Sequence, residues 1–241
     1  MTVLERTSPL IKLGIAVLWV VGLATTTEPR PGAMLTLVAL VAITSLGGVT
    51  GPRLARSLLP VILAAAGIAI ANLLFSRSNP DPAATELLRI GPLRLTAQAS
   101  LAAAGLFARV MAIATVGLAF VLTTTPTRLA DSLVQQARIP ERFAYGALAA
   151  YQAVPRFASD LATLRTARRL RGLNEWHPWI LVGLLVRAIR HADQLALAMD
   201  ARGFGSGPRT AYRPLRWRLE DVVVGCAGAA VVVASLAVAR L

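Results

Sequence analysis

The chain has 241 residues, 56% of them hydrophobic and only 15% charged, with a mean hydropathy of +0.62. An ordinary soluble domain carries ~25% charge, and several apolar runs here approach the ~20 residues that cross a bilayer, so composition excludes a water-soluble globule and predicts an integral membrane protein. The formal net charge is +13, but no nucleic-acid-binding motif accompanies it and aromatics are sparse, which argues against a nucleic acid partner.

Residues 1–9 are polar, and a first apolar run follows from Pro9 to Thr26 with Lys12 near its start. A positive beginning and the small residues Ala24, Thr25 and Thr26 also suit a cleaved signal peptide; the parity of the spans favours an uncleaved first helix. Pro29-Arg30-Pro31-Gly32 predicts a tight turn. The second run covers Ala33 to Val49 and is closed by Gly51, Pro52, Arg53 and Arg56. The third covers Ser57 to Phe75, with Pro60 early and Asn72 late.

Ser76 to Leu95 reads as a polar loop, because Pro80, Pro82 and Pro92 oppose a long helix. The fourth run, Thr96 to Thr125, is Ala-rich and places Arg109 near its middle. A charge at that depth is costly in lipid, so Arg109 is expected to face protein or water. Two roles fit it there: local packing or snorkelling, or a functional contact at an interface.

The texture changes after Thr123-Thr124-Thr125-Pro126. Residues 126–219 hold 15 of the 25 Lys and Arg and 6 of the 12 Asp and Glu, a net of about +9. Such a block beside membrane spans fits the positive-inside rule, and also binding of anionic lipid or an acidic partner. Apolar residues persist at helical spacing: Phe157, Leu161 and Leu164 share a face, while Arg165, Arg168 and Arg169 lie largely on another. In the next helix Arg187, Arg190, His191 and Gln194 form one face, and Ile189, Ala192, Leu195, Ala196 and Met199 cover the other. Trp179–Val186 is apolar for only about two turns before charge begins, so both helices are expected at or below the membrane surface rather than across it. Gly203 to Pro208 breaks the helix, Tyr212 to Arg218 reads as an interfacial anchor, and a last span runs from about Val222 to Val238. Its Gly225, Gly228 and Ala229 suit close helix packing.

These elements predict an all-α integral membrane protein with about five transmembrane helices and cytosolic amphipathic helices inserted before the last span. The divisions are residues 1–125 for the first four spans, 126–219 for the cytosolic helices and 220–241 for the last span. Counting back from a cytosolic insert puts the N-terminus inside, with Arg6, Lys12, Arg53 and Arg56. The outer connections then hold Arg30, Arg77, Arg89 and Arg94, diluted by Glu28, Asp81 and Glu86.

Chemistry is limited by what is missing. Lys12 is the only lysine and there is no phosphate-cradling loop ending in Gly-Lys, so ATP is not held here in that way. His177 and His191 lie in no metal-ligand spacing, and Cys226 sits alone in the last apolar run, so neither a metal site nor a cofactor is expected. His191 and Asp193 are two apart on one helix and point different ways. Asp193 and Asp200 share a face and suit local ion pairs, with Arg190 nearby. They lack the neighbouring carboxylates of a metal-dependent lipid transferase, and no enzymatic activity is expected.

Two short stretches repeat one theme: Ala167-Arg168-Arg169-Leu170-Arg171-Gly172 and Ala198-Met199-Asp200-Ala201-Arg202-Gly203. Each closes an amphipathic helix with an Arg-Gly step, where glycine takes the left-handed conformation that ends a helix and cations sit at its favourable end. With Thr123 to Pro126, Leu129, Leu133, Ile139-Pro140, Ala149, Tyr151, Pro155 and Phe204, these stretches resemble the transmembrane, or T, component of energy-coupling factor transporters, the CbiQ/EcfT family of vitamin and metal importers. The resemblance covers nearly the whole chain and is densest from Leu122 to Thr210. Leu170 departs from the Ala usual before Arg-Gly, and Asp200 from the common Glu.

The resemblance implies a scaffold in the cell membrane that links two ABC-type ATPase subunits to a substrate-binding S component in the membrane. Its implied ATPase contacts are Ala167, Arg168, Arg171 and Gly172 at one helix end, and Ala201, Arg202 and Gly203 at the other. Planar arginine forks suit acidic grooves, and Met199 and Phe204 would pack there. Closure of the ATPase dimer would push the two ends together, and the crossing helices would carry that motion to the S component. The rival functions are an ordinary ABC-importer permease and a non-transport membrane scaffold for an acidic partner.

Overall fold

The computed structural model describes residues 3–26, 28–76, 79, 85–90, 93–205, 207 and 210–238. Arg77, Pro80, Asp81, Pro82, Pro92, Ser206 and Pro208, used above, lie outside these described residues. The elements in chain order are α1 (Val3–Arg6), α2 (Pro9–Ala24), α3 (Pro29–Ser45), α4 (Gly51–Leu74), β1 (Glu86–Ile90), β2 (Leu93–Thr96), α5 (Ala97–Thr123), α6 (Pro126–Gln135), α7 (Glu141–Leu170), α8 (Trp179–Ala201) and α9 (Leu219–Val238). They form two compact units, residues 1–125 with 216–241, and residues 126–215.

In the first unit α4, α5 and α9 are long and apolar enough to cross a membrane, and α2 and α3 are shorter apolar helices of 16 and 17 residues. The all-α membrane class expected from composition is what the fold shows. α2, α3 and α4 each begin with proline in the first two positions, where its missing N–H is not needed and its fixed φ suits the helix. Two expectations are corrected by this. Pro29-Arg30-Pro31-Gly32 is not a free-standing turn but the first turn of α3, and Gly51-Pro52-Arg53 opens α4 instead of closing the preceding helix.

α2 and α3 each pack against both α5 and α9, and α4 packs along α5. The centre is filled by Trp19, Leu23, Leu35, Ala39, Ala112, Val116 and Val232. In lipid, such packing rests on close approach rather than on escape from water. Gly32 shows this most sharply: a Cβ there would stand 2.8 Å from the carbonyl carbon of Ala108. Gly228 gives α9 the same intimacy with α2, since its Cβ would lie 2.9 Å from Ile15, and its carbonyl accepts the Trp19 indole N–H at 3.1 Å. The close-packing role expected for Gly228 is therefore borne out. A cavity of about 230 Å³ remains among α2, α3, α5 and α9, with apolar walls and Lys12 at one side.

One end of this unit is held by two buried charges. The Lys12 ammonium, 7% exposed, donates to the Thr123 carbonyl at 3.0 Å, to Thr123 Oγ1 at 3.2 Å and to Thr124 Oγ1 at 3.4 Å. It thereby meets the last carbonyl of α5, at the end where a cation is favoured. Asp221, 2% exposed, accepts from the Ser8 backbone N–H at 2.7 Å and from the Arg218 N–H at 2.9 Å. Arg218 precedes α9, so the second bond is the return half of a capping box, and the last span starts at Leu219, three residues before the sequence suggested.

At the opposite end the expected polar loop contains an antiparallel hairpin of β1 and β2, with Arg89 opposite Arg94 and an ion pair between Arg94 and Glu86. The prolines that oppose a helix do not oppose a short two-stranded ribbon. Asn79 joins this region to the bundle. Its amide donates to the carbonyls of Leu73 and Leu74 at the end of α4, and its oxygen accepts from Thr96 Oγ1 at 3.2 Å. Thr96 in turn caps α5, accepting from the Ala99 N–H.

Candidate functional site

The second unit is built on α6, α7 and α8. α7 and α8 form a helical hairpin in which Leu164 meets Gly183 at 3.7 Å, and the Asp160 carboxylate accepts from the Arg187 guanidinium at 3.0 Å. Phe157, Leu161 and Leu164 are half-buried along α7, as their spacing predicts. On α8 the half-buried residues are Gly183, Leu184, Ala188, His191, Leu195 and Met199, while Ile189 is 52% exposed and Ala192 and Ala196 are exposed. The packed seam thus runs beside the charged face and includes His191. Small residues at 183 and 188 let α7 approach there, leaving the bulkier apolar face uncovered. Among the described residues Asp193 and Asp200 enter no ion pair; the pair that forms bridges the two helices instead.

Both signature stretches end their helices in the same way. Arg171 is the C-cap of α7 and Gly172 follows with φ +72°; the Gly172 N–H donates to the Arg169 carbonyl at 2.9 Å, and the Leu173 N–H to the Arg168 carbonyl at 3.1 Å. Arg202 is the C-cap of α8 and Gly203 has φ +66°; its N–H donates to the Asp200 carbonyl at 2.9 Å, and the Phe204 N–H to the Met199 carbonyl at 3.0 Å. This paired 5→2 and 6→1 bonding is the Schellman motif, and it requires a left-handed residue after the cap. The conformation expected of both glycines is the one found. Ala167, Arg171 and Gly172 are exposed and Arg168 half-buried; Ala201 and Arg202 are exposed and Gly203 half-buried.

The structure does not bring the two ends together. One lies at the loop joining α7 to α8 and the other at the far end of α8, whose 23 residues span ~35 Å at 1.5 Å per residue. Their surroundings differ as well. At the first end the contacts are local: Arg168 Nε donates to the Asn174 carbonyl at 2.9 Å, Arg169 pairs with Glu175 at 2.5 Å, and the Arg165 guanidinium lies 4.0 Å over the Trp176 ring. The hydrogen bond from Arg169 holds the Glu175 carboxyl below its ordinary range.

The second end is attached to other elements of its unit. Phe204 stands edge-on to Tyr145 with ring centres 6.4 Å apart, so it packs on its own chain rather than standing free for a partner. The Arg142 guanidinium donates to the Gly205 carbonyl at 3.5 Å, and Gly205 has φ +78°. The Tyr145 hydroxyl donates to Asp131 of α6 at 2.9 Å. Burial, then the bond and the charge of Asp131, push the Tyr145 phenol up to about 12. Gln135 closes the segment by donating to the Arg213 carbonyl at 3.0 Å and accepting from the Leu215 N–H at 2.8 Å. Sequence reasoning missed Asp131, Gln135, Arg142 and Tyr145, because fourteen residues and a change of helix separate Asp131 from Tyr145.

Arg109 belongs to the first unit and makes a contact that sequence did not foresee. Its guanidinium donates to the carbonyl of Thr26, in the connection between α2 and α3. With Gly32 against Ala108, this sets Arg109 level with the end of the shorter helices, not at their mid-depth. The first dozen residues of α5 extend past that level, which is why the middle of a 27-residue helix is not the middle of the bundle.

Apolar helices packed by glycine and alanine, together with a basic helical insert bearing two arginine-capped ends, define an all-α membrane protein. A family model described as CbiQ, cobalt transport protein, matches residues 1–212. The chain belongs to the CbiQ/EcfT family, the transmembrane components of energy-coupling factor transporters. It is 33% identical over 130 residues to the energy-coupling factor transporter transmembrane protein EcfT of Bacillus selenitireducens, covering 46% of this chain and 48% of that one. The corresponding protein of Streptococcus equi is 29% identical over 156 residues, covering 57% and 58%. The chain thus spans about half the length of these curated relatives. An ABC transporter ATP-binding protein of Bifidobacterium longum is 24% identical over 247 residues, covering 94% of this chain but 30% of that protein.

Proposed function

We propose that this chain is the energy-coupling membrane subunit of an ATP-driven importer for a micronutrient, a vitamin or metal ion. It links two ABC-type ATPase subunits to a separate substrate-binding S component. The observation that carries the reading is the pair of identical Schellman ends ~35 Å apart along α8, each presenting a C-cap arginine. Two such ends in one chain suit two partner subunits, one for each end, with Arg171 and Arg202 offering bidentate donors to acidic grooves. The Bifidobacterium relative adds support: a sequence like this one makes up under a third of a chain named for ATP binding. The chain itself performs no chemistry; hydrolysis belongs to the ATPases.

In this reading the end of the first unit that carries Lys12, Thr123 and Asp221 faces the cytoplasm, as does the basic insert, in keeping with the positive-inside rule. The N-terminus lies on the same side. Arg171→Glu and Arg202→Glu test the assignment by affinity purification in mild detergent. Each should reduce recovery of the ATPases while leaving the amount of chain in the membrane unchanged, and the double variant should abolish it. Full recovery with the double variant would refute it. Recovery of a periplasmic binding protein would favour the permease, and of an acidic protein without ATPase activity the non-transport scaffold.

A further inference from the structure

We propose that Tyr145, fixed by Asp131 and set edge-on against Phe204, is a positioning residue that clamps the α8 signature end to α6 and α7, making the two signature ends mechanically unequal. The α7 end is closed by residues within a few positions of itself, Arg168 with Asn174 and Arg169 with Glu175. The α8 end is fastened across the fold: Tyr145 lies 59 positions from Phe204, and Arg142 63 positions from Gly205, yet both make contact. Asp131 is only 9% exposed, so its carboxylate needs the hydroxyl of Tyr145, and the ring is thereby locked in one orientation. A Cβ on Gly205 would fall 2.5 Å from Arg142 Nε, so the Arg142 guanidinium lies directly against this glycine.

An end held this way moves only with α6 and the start of α7, whereas the α7 end can shift on its own loop. The clamp's role in coupling rests on the proposed contact between Arg202 and an ATPase; the clamp itself does not. Limited trypsin digestion of the whole chain in detergent tests the clamp without any partner. In the wild type the Arg171–Gly172 bond should be cut faster than the Arg202–Gly203 bond. Tyr145→Phe should speed cutting after Arg202 by ~3–10-fold, the equivalent of one lost hydrogen bond, and Tyr145→Ala should speed it further, with cutting after Arg171 unchanged. Asp131→Asn keeps an acceptor and should stay near wild type. Equal acceleration at both bonds would show general loosening, and no acceleration would show no clamp; either overturns the proposal. In the purified complex, Tyr145→Ala should lower ATP hydrolysis per complex without dissociating it, and unchanged hydrolysis would overturn the coupling role. If the double variant Arg171→Glu, Arg202→Glu retains the ATPases in full while Tyr145→Ala still frees the end, the ATPase reading fails and the clamp stands.

Discussion

Asp221→Ala removes the acceptor for two backbone N–H groups at a site that is 2% exposed. Both bonds, 2.7 Å from Ser8 and 2.9 Å from Arg218, are of the charge-assisted kind, each contributing ~1.5–3 kcal/mol. Removing the carboxylate also removes the unfavourable burial of its charge, so the net loss should be ~2–4 kcal/mol. For a chain of this size each kcal/mol moves the unfolding midpoint by ~2–4 °C, and a fall of ~4–16 °C follows from the two figures. Intrinsic fluorescence reports it well, because Trp19 is 5% exposed in the core while Trp217 is 57% exposed. Asp221→Asn, which keeps one carbonyl oxygen, should lose about half as much. A midpoint within ~1 °C of wild type for the Ala variant, an order below the shift expected, would refute the view that this carboxylate fastens α9 to the start of α2.

Gly32→Val should push α3 from α5, because its Cβ would meet backbone atoms of Ala108 at 2.8 and 2.9 Å; a loss of ~1–3 kcal/mol, read by thermal unfolding, is expected, and a neutral outcome would contradict the contact. Tyr145 titrates at about 12 against an ordinary 10.0, so absorbance titration at high pH should show one of the three tyrosines lagging, and Tyr145→Phe should remove that one. Because the folded value is raised, the stability linked to this phenol is complete below pH 10 and is lost as pH rises from 10 towards 12. Gly172→Ala places a side chain at φ +72° and should weaken the α7 end by ~1 kcal/mol, seen as faster amide exchange at Gly172 and Leu173 with α8 unaffected.

The apolar runs that became α2, α5 and α9 could be read because each is a long signal flanked by polar residues, with a single charge inside α2 and α5. Proline misled in both directions. In Pro29-Arg30-Pro31-Gly32 it marks a helix start as readily as a turn, and only the packing of Gly32 on Ala108 decides between them. Between Ser76 and Leu95 it said nothing of the short hairpin that the described residues form. The two Arg-Gly ends were legible because a C-cap is local: six residues contain all of its hydrogen bonds. Tyr145 with Asp131, Lys12 with Thr123, and Ser8 with Asp221 were not, since each joins residues whose proximity only the folded chain creates. Arg109 stood at mid-helix in sequence, yet depth depends on where the neighbouring helices stop.

Ser8 and Lys12 are one helical turn apart at the start of α2, and between them they hold both roots of the inserted helical unit. Lys12 binds the chain where it departs at Thr123, and Ser8 binds it where it returns at Asp221. An insert whose two roots are moored to one turn of a host helix can be exchanged without rerouting the rest of the chain. Such a layout lets the inserted helices be altered while the packing of the apolar bundle is kept.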